Sequence, residues 1–282
     1  STVSILYALI YFSMQSFVIN YNHSIILFAL GSLLTFCSYF VMDFYLNKYS
    51  SSYQAIPQKK KFYVLSNLIK SGLLLIYTPF AFQVLRVLYP LSSVLTVTEL
   101  PGINDFSIFP TPQDTHQLPL ITTIHNLGAL YSIPDFVSMM LVYDMHISTY
   151  IHHIAVVIFT FINFNQTYDK PTIWIAIVIY GLYSSFSYIV NFILASRFFK
   201  LSSDPKEQKW VSRLLTTIAF WIYLICCFFN WSWQIHFSIT LVSNNYHQNL
   251  DMLIYSILLY AFIRDDIMLL KWLRFKNQVK LD

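Results

Sequence analysis

Apolar stretches of about 20 residues recur seven times along this chain, and no other feature limits its fold so tightly. At about 1.5 Å per residue each stretch reaches across a hydrocarbon layer roughly 30 Å thick. Inside such a layer the backbone has to satisfy its own hydrogen bonds, which a helix does and an open strand does not. The stretches run from His23 to Leu46, Phe62 to Leu88, Leu120 to Tyr143, Ile147 to Phe164, Thr172 to Phe199, Trp210 to Phe229 and Leu250 to Leu270. They predict an all-α fold, a polytopic transmembrane helical bundle. A further apolar segment, Val3 to Ile19, carries Ser and Gln and fits either an eighth span or a helix lying in the interface. No basic region precedes it and no small-residue cleavage site follows, so it does not read as a signal peptide. The chain therefore divides into an N-terminal interfacial or membrane helix (1–23), the bundle (24–270) and a basic C-terminal tail (271–282).

Composition supports the same class. Of 282 residues 56% are hydrophobic and only 11% charged, against about a quarter charged in an ordinary soluble domain, which excludes a water-soluble globule. Seventeen Lys and Arg with a net charge of +4 do not form the dense basic surface that phosphate backbones require, so nucleic acid is not an expected partner. The five glycines are too scattered to cradle a phosphate. Cys37, Cys226 and Cys227 lie inside apolar runs as small hydrophobes, and neither a disulfide nor a zinc site is expected from them.

Basic residues segregate as the positive-inside rule requires. Lys48 and Lys59 to Lys61 follow the first span; Arg197, Lys200, Lys206, Lys209 and Arg213 surround the loop after the fifth; Arg264, Lys271, Arg274, Lys276 and Lys280 end or follow the seventh. The opposite side receives the proline-rich loop from Tyr89 to Pro119 and a loop from Asn230 to Asn249 that holds no Lys or Arg. Trp231 and Trp233 read there as an interfacial aromatic belt. Three Asn-x-Ser/Thr triplets, at Asn22, Asn165 and Asn230, also fall on that side but hug the membrane, and glycans are not expected.

Polar groups inside the spans mark where the bundle does something other than pack, because each costs about 2.5–3.5 kcal/mol at mid-bilayer. Counting from the inner face at the helical rise, Lys70, Asp135 and Asn191 lie about 12–14 Å deep, and His152 and His153 about 8–9 Å. Four helices thus deliver a cation, a carboxylate, an amide and two imidazoles to one layer. Two explanations stand: a polar cavity for a lipid headgroup or an acyl-transfer reaction, or interhelical hydrogen bonds acting as glue. Lys70 and Asp135 are expected to pair, since no other acidic residue is expected in the spans at that height; the competing arrangement has Lys70 snorkelling and Asp135 bonded to Tyr or Ser. His146, His152 and His153 form one loose cluster, far from the spaced histidine boxes of di-iron membrane enzymes, and no metal site is expected. His146 and Asp144 read as interfacial groups in an inner turn.

The segment Leu130 to Phe164, LYSIPDFVSMMLVYDMHISTYIHHIAVVIFTFINF, resembles the central block of TLC-domain proteins, which include ceramide synthases and translocon-associated membrane proteins. The matching features are Tyr131 and Asp135 near a helix start, a short linker, and the pair His152 and His153 opening the next helix. Upstream, KKKFYVLSNLIKSG, Lys59 to Gly72, is similar to the start of the family's first core helix, with Ser66 at the corresponding place. The resemblance covers about 53–270 and implies a six-helix core preceded by one or two N-terminal helices. It also departs from the enzymes of the family. After His153 the chain reads IAVVIFTFINFNQTYDKPTIW, without the later His-Asp, Asp and Glu, and YGLYSSFSYIVN lacks the Glu of the following helix.

The resemblance and these departures imply a non-catalytic, lipid-binding protein serving as an accessory or structural subunit of a larger membrane complex. Its partners would be membrane lipids and other integral membrane subunits; no cofactor is implied, although a phospholipid or sphingolipid could be bound. The alternative is an acyltransferase of the ceramide synthase type with His152 or His153 as base. The expected location is the membrane of a eukaryotic organelle, with the mitochondrial inner membrane and the endoplasmic reticulum both open. The topology has a direct test: Lys60→Cys and Lys276→Cys should react with an impermeant thiol reagent from the same side of sealed membranes, and labelling from opposite sides would overturn the seven-span arrangement.

Overall fold

A computed structural model describes residues 21–88, 117–143, 145–166, 173–199, 204–243 and 249–276. No strand occurs among the described residues. The helices are α1 (Tyr21–Tyr49), the single turn α2 (Ser51–Gln54), α3 (Gln58–Leu88), α4 (Gln117–Leu141), α5 (Ile147–Phe164), α6 (Trp174–Ser184), α7 (Tyr188–Ser196), α8 (Pro205–Ser243) and α9 (Asn249–Lys276). A 3₁₀ turn, Ser185–Ser187, joins α6 to α7. The expected segment Val3 to Ile19 and most of the loop from Tyr89 to Pro119 lie outside the described residues.

Placement in the bundle follows from which faces are apolar. From Ile173 to Tyr180 every residue is buried, because WIAIVIY is hydrophobic all round and only a central position covers such a helix. Around α6 pack α3, α8 and α9, with α4 and α5 closing the ring and α1 lying outside against α4 and α3. Among the described residues five helical segments are long and apolar enough to cross a membrane: 24–49, 58–85, 147–164, 174–196 and 206–243. The chain is thus built as a membrane protein, although α4 and α9 fall outside that set. Both are enriched in polar groups that the bundle needs internally: α4 buries His125, Asn126, Ser132, Asp135 and Ser138, and α9 carries Arg264, Asp265 and Asp266 in sequence.

Two expected boundaries are corrected. The sixth span does not end at Phe229: α8 continues to Ser243, so the expected outer loop from Asn230 begins instead as 14 further helical residues. The polar residues that mimic a helix end in the sequence are turned inward. Gln234 Nε2 donates to Asn230 Oδ1 at 3.1 Å and to the Ala176 carbonyl at 2.8 Å, and Tyr255 Oη donates to Gln234 Oε1 at 2.8 Å. Trp231 and Trp233 are accordingly not a belt; Trp233 is buried and stacks on Phe237 at 4.7 Å. The seventh span likewise runs on to Lys276, so the tail expected at 271 starts as helix. Exposed Leu214, Ile218, Trp221, Ile225, Phe228, Ile235 and Ile239 recur at spacings of three, four and seven residues and form an outward stripe along α8.

The expected fifth span is one membrane crossing with a break in it. Ser184 Oγ donates to the Tyr180 carbonyl at 2.9 Å, Ser185 Oγ to that of Leu182 at 2.6 Å and Ser187 Oγ to that of Ser184 at 2.6 Å. Hydroxyls competing for helical carbonyls loosen the α ladder, and three within four residues suffice to switch it to 3₁₀ geometry. Thr78 Oγ1 of α3, 3.3 Å from the Ser185 carbonyl, supplies one replacement donor.

Close approach of α1 to α4 depends on Gly31, where an added Cβ would lie 2.5 Å from Ile133 Cδ1. Gly72, in α3, has no atom within 4 Å of that position. Gly31→Leu should therefore destabilise the bundle by about 1–3 kcal/mol through overpacking. Gly72→Ala should stabilise it by about 0.5–1 kcal/mol through helix entropy. Melting in detergent, followed by tryptophan fluorescence, reads both; equal effects from the two would show that α1 does not dock through Gly31.

Candidate functional site

Adjacent residues on a helix point about 100° apart, so the pair His152 and His153 cannot face one neighbour. His153 turns toward α4, where its Nδ1 lies 3.3 Å from Asp135 Oδ1. His152 turns toward α9, with Nδ1 3.8 Å from Asp265 Oδ2 and its ring edge-on to Phe262 at 5.3 Å. The acidic pair on α9 splits the same way. Asp265 faces α5, accepting from Ser148 Oγ at 3.0 Å and Thr149 Oγ1 at 3.3 Å. Asp266 faces α6 and α8, accepting from Tyr180 Oη, from Tyr223 Oη at 2.5 Å and from Trp231 Nε1 at 3.3 Å.

Lys70 of α3 donates from Nζ to Asp135 Oδ1, forming the expected ion pair, with its ammonium 6.0 Å from the Tyr131 ring centroid. Asp135 is fully buried, and its position one residue after Pro134 places it where α4 lacks the backbone N–H bond to the Leu130 carbonyl. Removal of its partner would leave an uncompensated charge in a low-dielectric setting, which is why the pair is coupled so strongly to folding. The expectation that no other carboxylate reaches this layer is wrong: Asp265 and Asp266, inside the expected seventh span, line the same cavity, on a helix that packs against α5 and α8.

These groups border a cavity of about 390 Å³. Lys70, His152, His153 and Asn191 line it, as do Asp265 and Asp266; Asp135 stands behind the wall in contact with Lys70 and His153. All five residues singled out in the sequence thus meet at one place. Asn191 is reached through the break in the fifth span, where Ser184 and Ser187 also open onto the cavity. His146 is exposed and caps α5, its Nδ1 accepting from the Ser148 amide at 3.2 Å. A smaller, mainly apolar pocket of about 40 Å³ adjoins, and Tyr131 and His152 belong to the walls of both.

Sequence reasoning missed Asp265, Asp266, Tyr180 and Tyr223. The signal was present as Arg264-Asp265-Asp266 inside an apolar run, but proximity to the basic tail made it look like a helix end. It also missed that Asp135, His152 and His153 each offer a donor atom within 4.8 Å of the others, a set not visible from the histidines alone.

The fold and site define a helical membrane-type bundle with a titratable internal cavity. Comparison with protein-family models, with curated proteins and with solved structures finds no match to this chain.

Asp135→Ala should cost about 3–5 kcal/mol by stranding the Lys70 ammonium, while the double variant Lys70→Met/Asp135→Leu should be far less damaging. Tyr223→Phe, which removes a hydrogen bond to a buried carboxylate, should cost about 1.5–3 kcal/mol. Denaturant unfolding in mixed micelles measures each; a double variant as unstable as Asp135→Ala would show that the pair does not act as a unit.

Proposed function

We propose that this chain is a multi-pass membrane protein on a TLC-like scaffold that holds the polar headgroup of a membrane lipid, a phospholipid or a sphingolipid, in the cavity beside Lys70, His152 and Asn191. The observation that carries the reading is the junction of a roomy polar cavity with an apolar pocket at Tyr131 and His152, an arrangement suited to an amphiphile whose headgroup and first tail carbons need different surroundings. The outward apolar stripes of α1 and α8 are suited to lipid tails and to neighbouring integral subunits, in keeping with an accessory role.

A second reading, acyl transfer from an activated lipid, is favoured by one contact: Asp265 beside His152 Nδ1 is positioned as a carboxylate that orients an imidazole base. Native mass spectrometry of the protein released from mild detergent tests the first. A lipid should be retained by the wild type and lost from Asn191→Trp, whose side chain fills the cavity; a wild type that carries no lipid, or an Asn191→Trp variant that keeps it, would overturn the binding reading. Loss of acyl-CoA turnover in His152→Ala with lipid retention unchanged would instead establish the enzyme.

A further inference from the structure

We infer that Asp135, His152 and His153 form a binding site for a divalent transition-metal ion, zinc in the first instance. The inference does not require a lipid in the cavity.

Three observations support it independently of the lipid reading. The first is the donor set. Two imidazoles and one carboxylate, with donor atoms within 4.8 Å of one another, are the ligands that zinc and its neighbours in the first transition row accept. Two donors on one tetrahedral zinc stand about 3.3 Å apart, given metal–ligand bonds of about 2.0–2.1 Å. His153 Nδ1 already stands 3.3 Å from the Asp135 carboxylate at Oδ1, the oxygen that Lys70 holds, so the metal would take the free Oδ2 beside it. Modest side-chain rotation would bring in His152.

The second is unmet polar demand. Asp135 Oδ2, His152 Nδ1 and His153 Nδ1 are all buried without a hydrogen-bond partner, although the residues are exposed by only 0%, 9% and 7%. A bundle that used these groups as glue would satisfy them, since an orphaned buried polar atom costs about 1–3 kcal/mol. Lys70 does not fill the place, because it occupies Oδ1 of Asp135 and leaves Oδ2 bare.

The third is charge. Asp135, Asp265 and Asp266 converge on one region, while among the described residues Lys70 is the only Lys or Arg lining the cavity. A divalent cation would offset negative charge there. Three protein ligands leave a fourth position open toward the cavity, the arrangement of zinc sites that exchange ligands.

Cobalt(II) provides the probe, because it replaces zinc and its visible bands report the ligands. The full chain, purified in detergent and stripped with chelator, should take up one cobalt per chain with ligand-field bands of a nitrogen and oxygen site, and zinc should displace it. His153→Cys should add a thiolate-to-cobalt charge-transfer band, a gained signal that a misfolded variant would not give. A wild type that takes up no cobalt, or a His152→Ala/His153→Ala variant that binds it with unchanged bands and affinity, would overturn the inference. Lipid retained by a wild type that binds no metal would sink this site alone and leave the lipid reading intact; metal bound without lipid would do the reverse.

Discussion

A fully buried carboxylate on α4 sets the terms for the helices around it. Asp135 is inaccessible to water, and a charge so placed is tolerated only with close partners. Its partners come from two other helices, Lys70 on α3 and His153 on α5, so the register of all three is fixed by one side chain. Apolar packing alone would not do this, because lipid tails are as apolar as Leu and offer little reason for one helix rotation over another. The polar contact chooses among packings that the hydrophobic surfaces leave nearly equal.

A second carboxylate node does the same for the other half of the bundle. Asp266 gathers Tyr180 from α6 with Tyr223 and Trp231 from α8, and Asp265 gathers Ser148 and Thr149 from α5. Helix α5 is therefore shared, with His153 in the first node and His152 in the second. The cavity lies between the nodes, and the serine-rich break from Ser185 to Ser187 turns Asn191 toward it. Breaking an otherwise apolar helix at this level is consistent with a site, since irregular backbone at membrane depth is tolerated where it lines a cavity.

Much of this was legible in the sequence, and the exceptions have a common physical origin. The all-helical build, the convergence of Lys70, Asp135, His152, His153 and Asn191 in and behind the wall of one cavity, and the Lys70 to Asp135 pair all follow from apolar length and the rise per residue. What hydropathy could not resolve was direction. Asn230 and Gln234 look like the end of a span when only their polarity is counted, yet bonded to one another and to Ala176 they sit comfortably inside one. Asp265 and Asp266 were lost for the same reason, since beside Arg264 and ahead of Lys271 they look like a solvated helix end. Polarity along a helix says that a group needs a partner; only the three-dimensional arrangement says whether that partner is water or another helix.

The distinction between glue and site turns on completeness. Glue is satisfied when the last donor meets the last acceptor, and the node around Asp266 approaches that condition, with three donors on one carboxylate. The node around Asp135 does not, because one carboxylate oxygen and both Nδ1 atoms of His152 and His153 remain without hydrogen bonds, the two histidines lining the cavity and Asp135 standing behind its wall. A fold that satisfies one buried acid so fully leaves the other, on α4, with an oxygen that no hydrogen bond reaches. The fully bonded node serves as the frame, and the incompletely bonded one keeps polar atoms that folding alone leaves without hydrogen bonds.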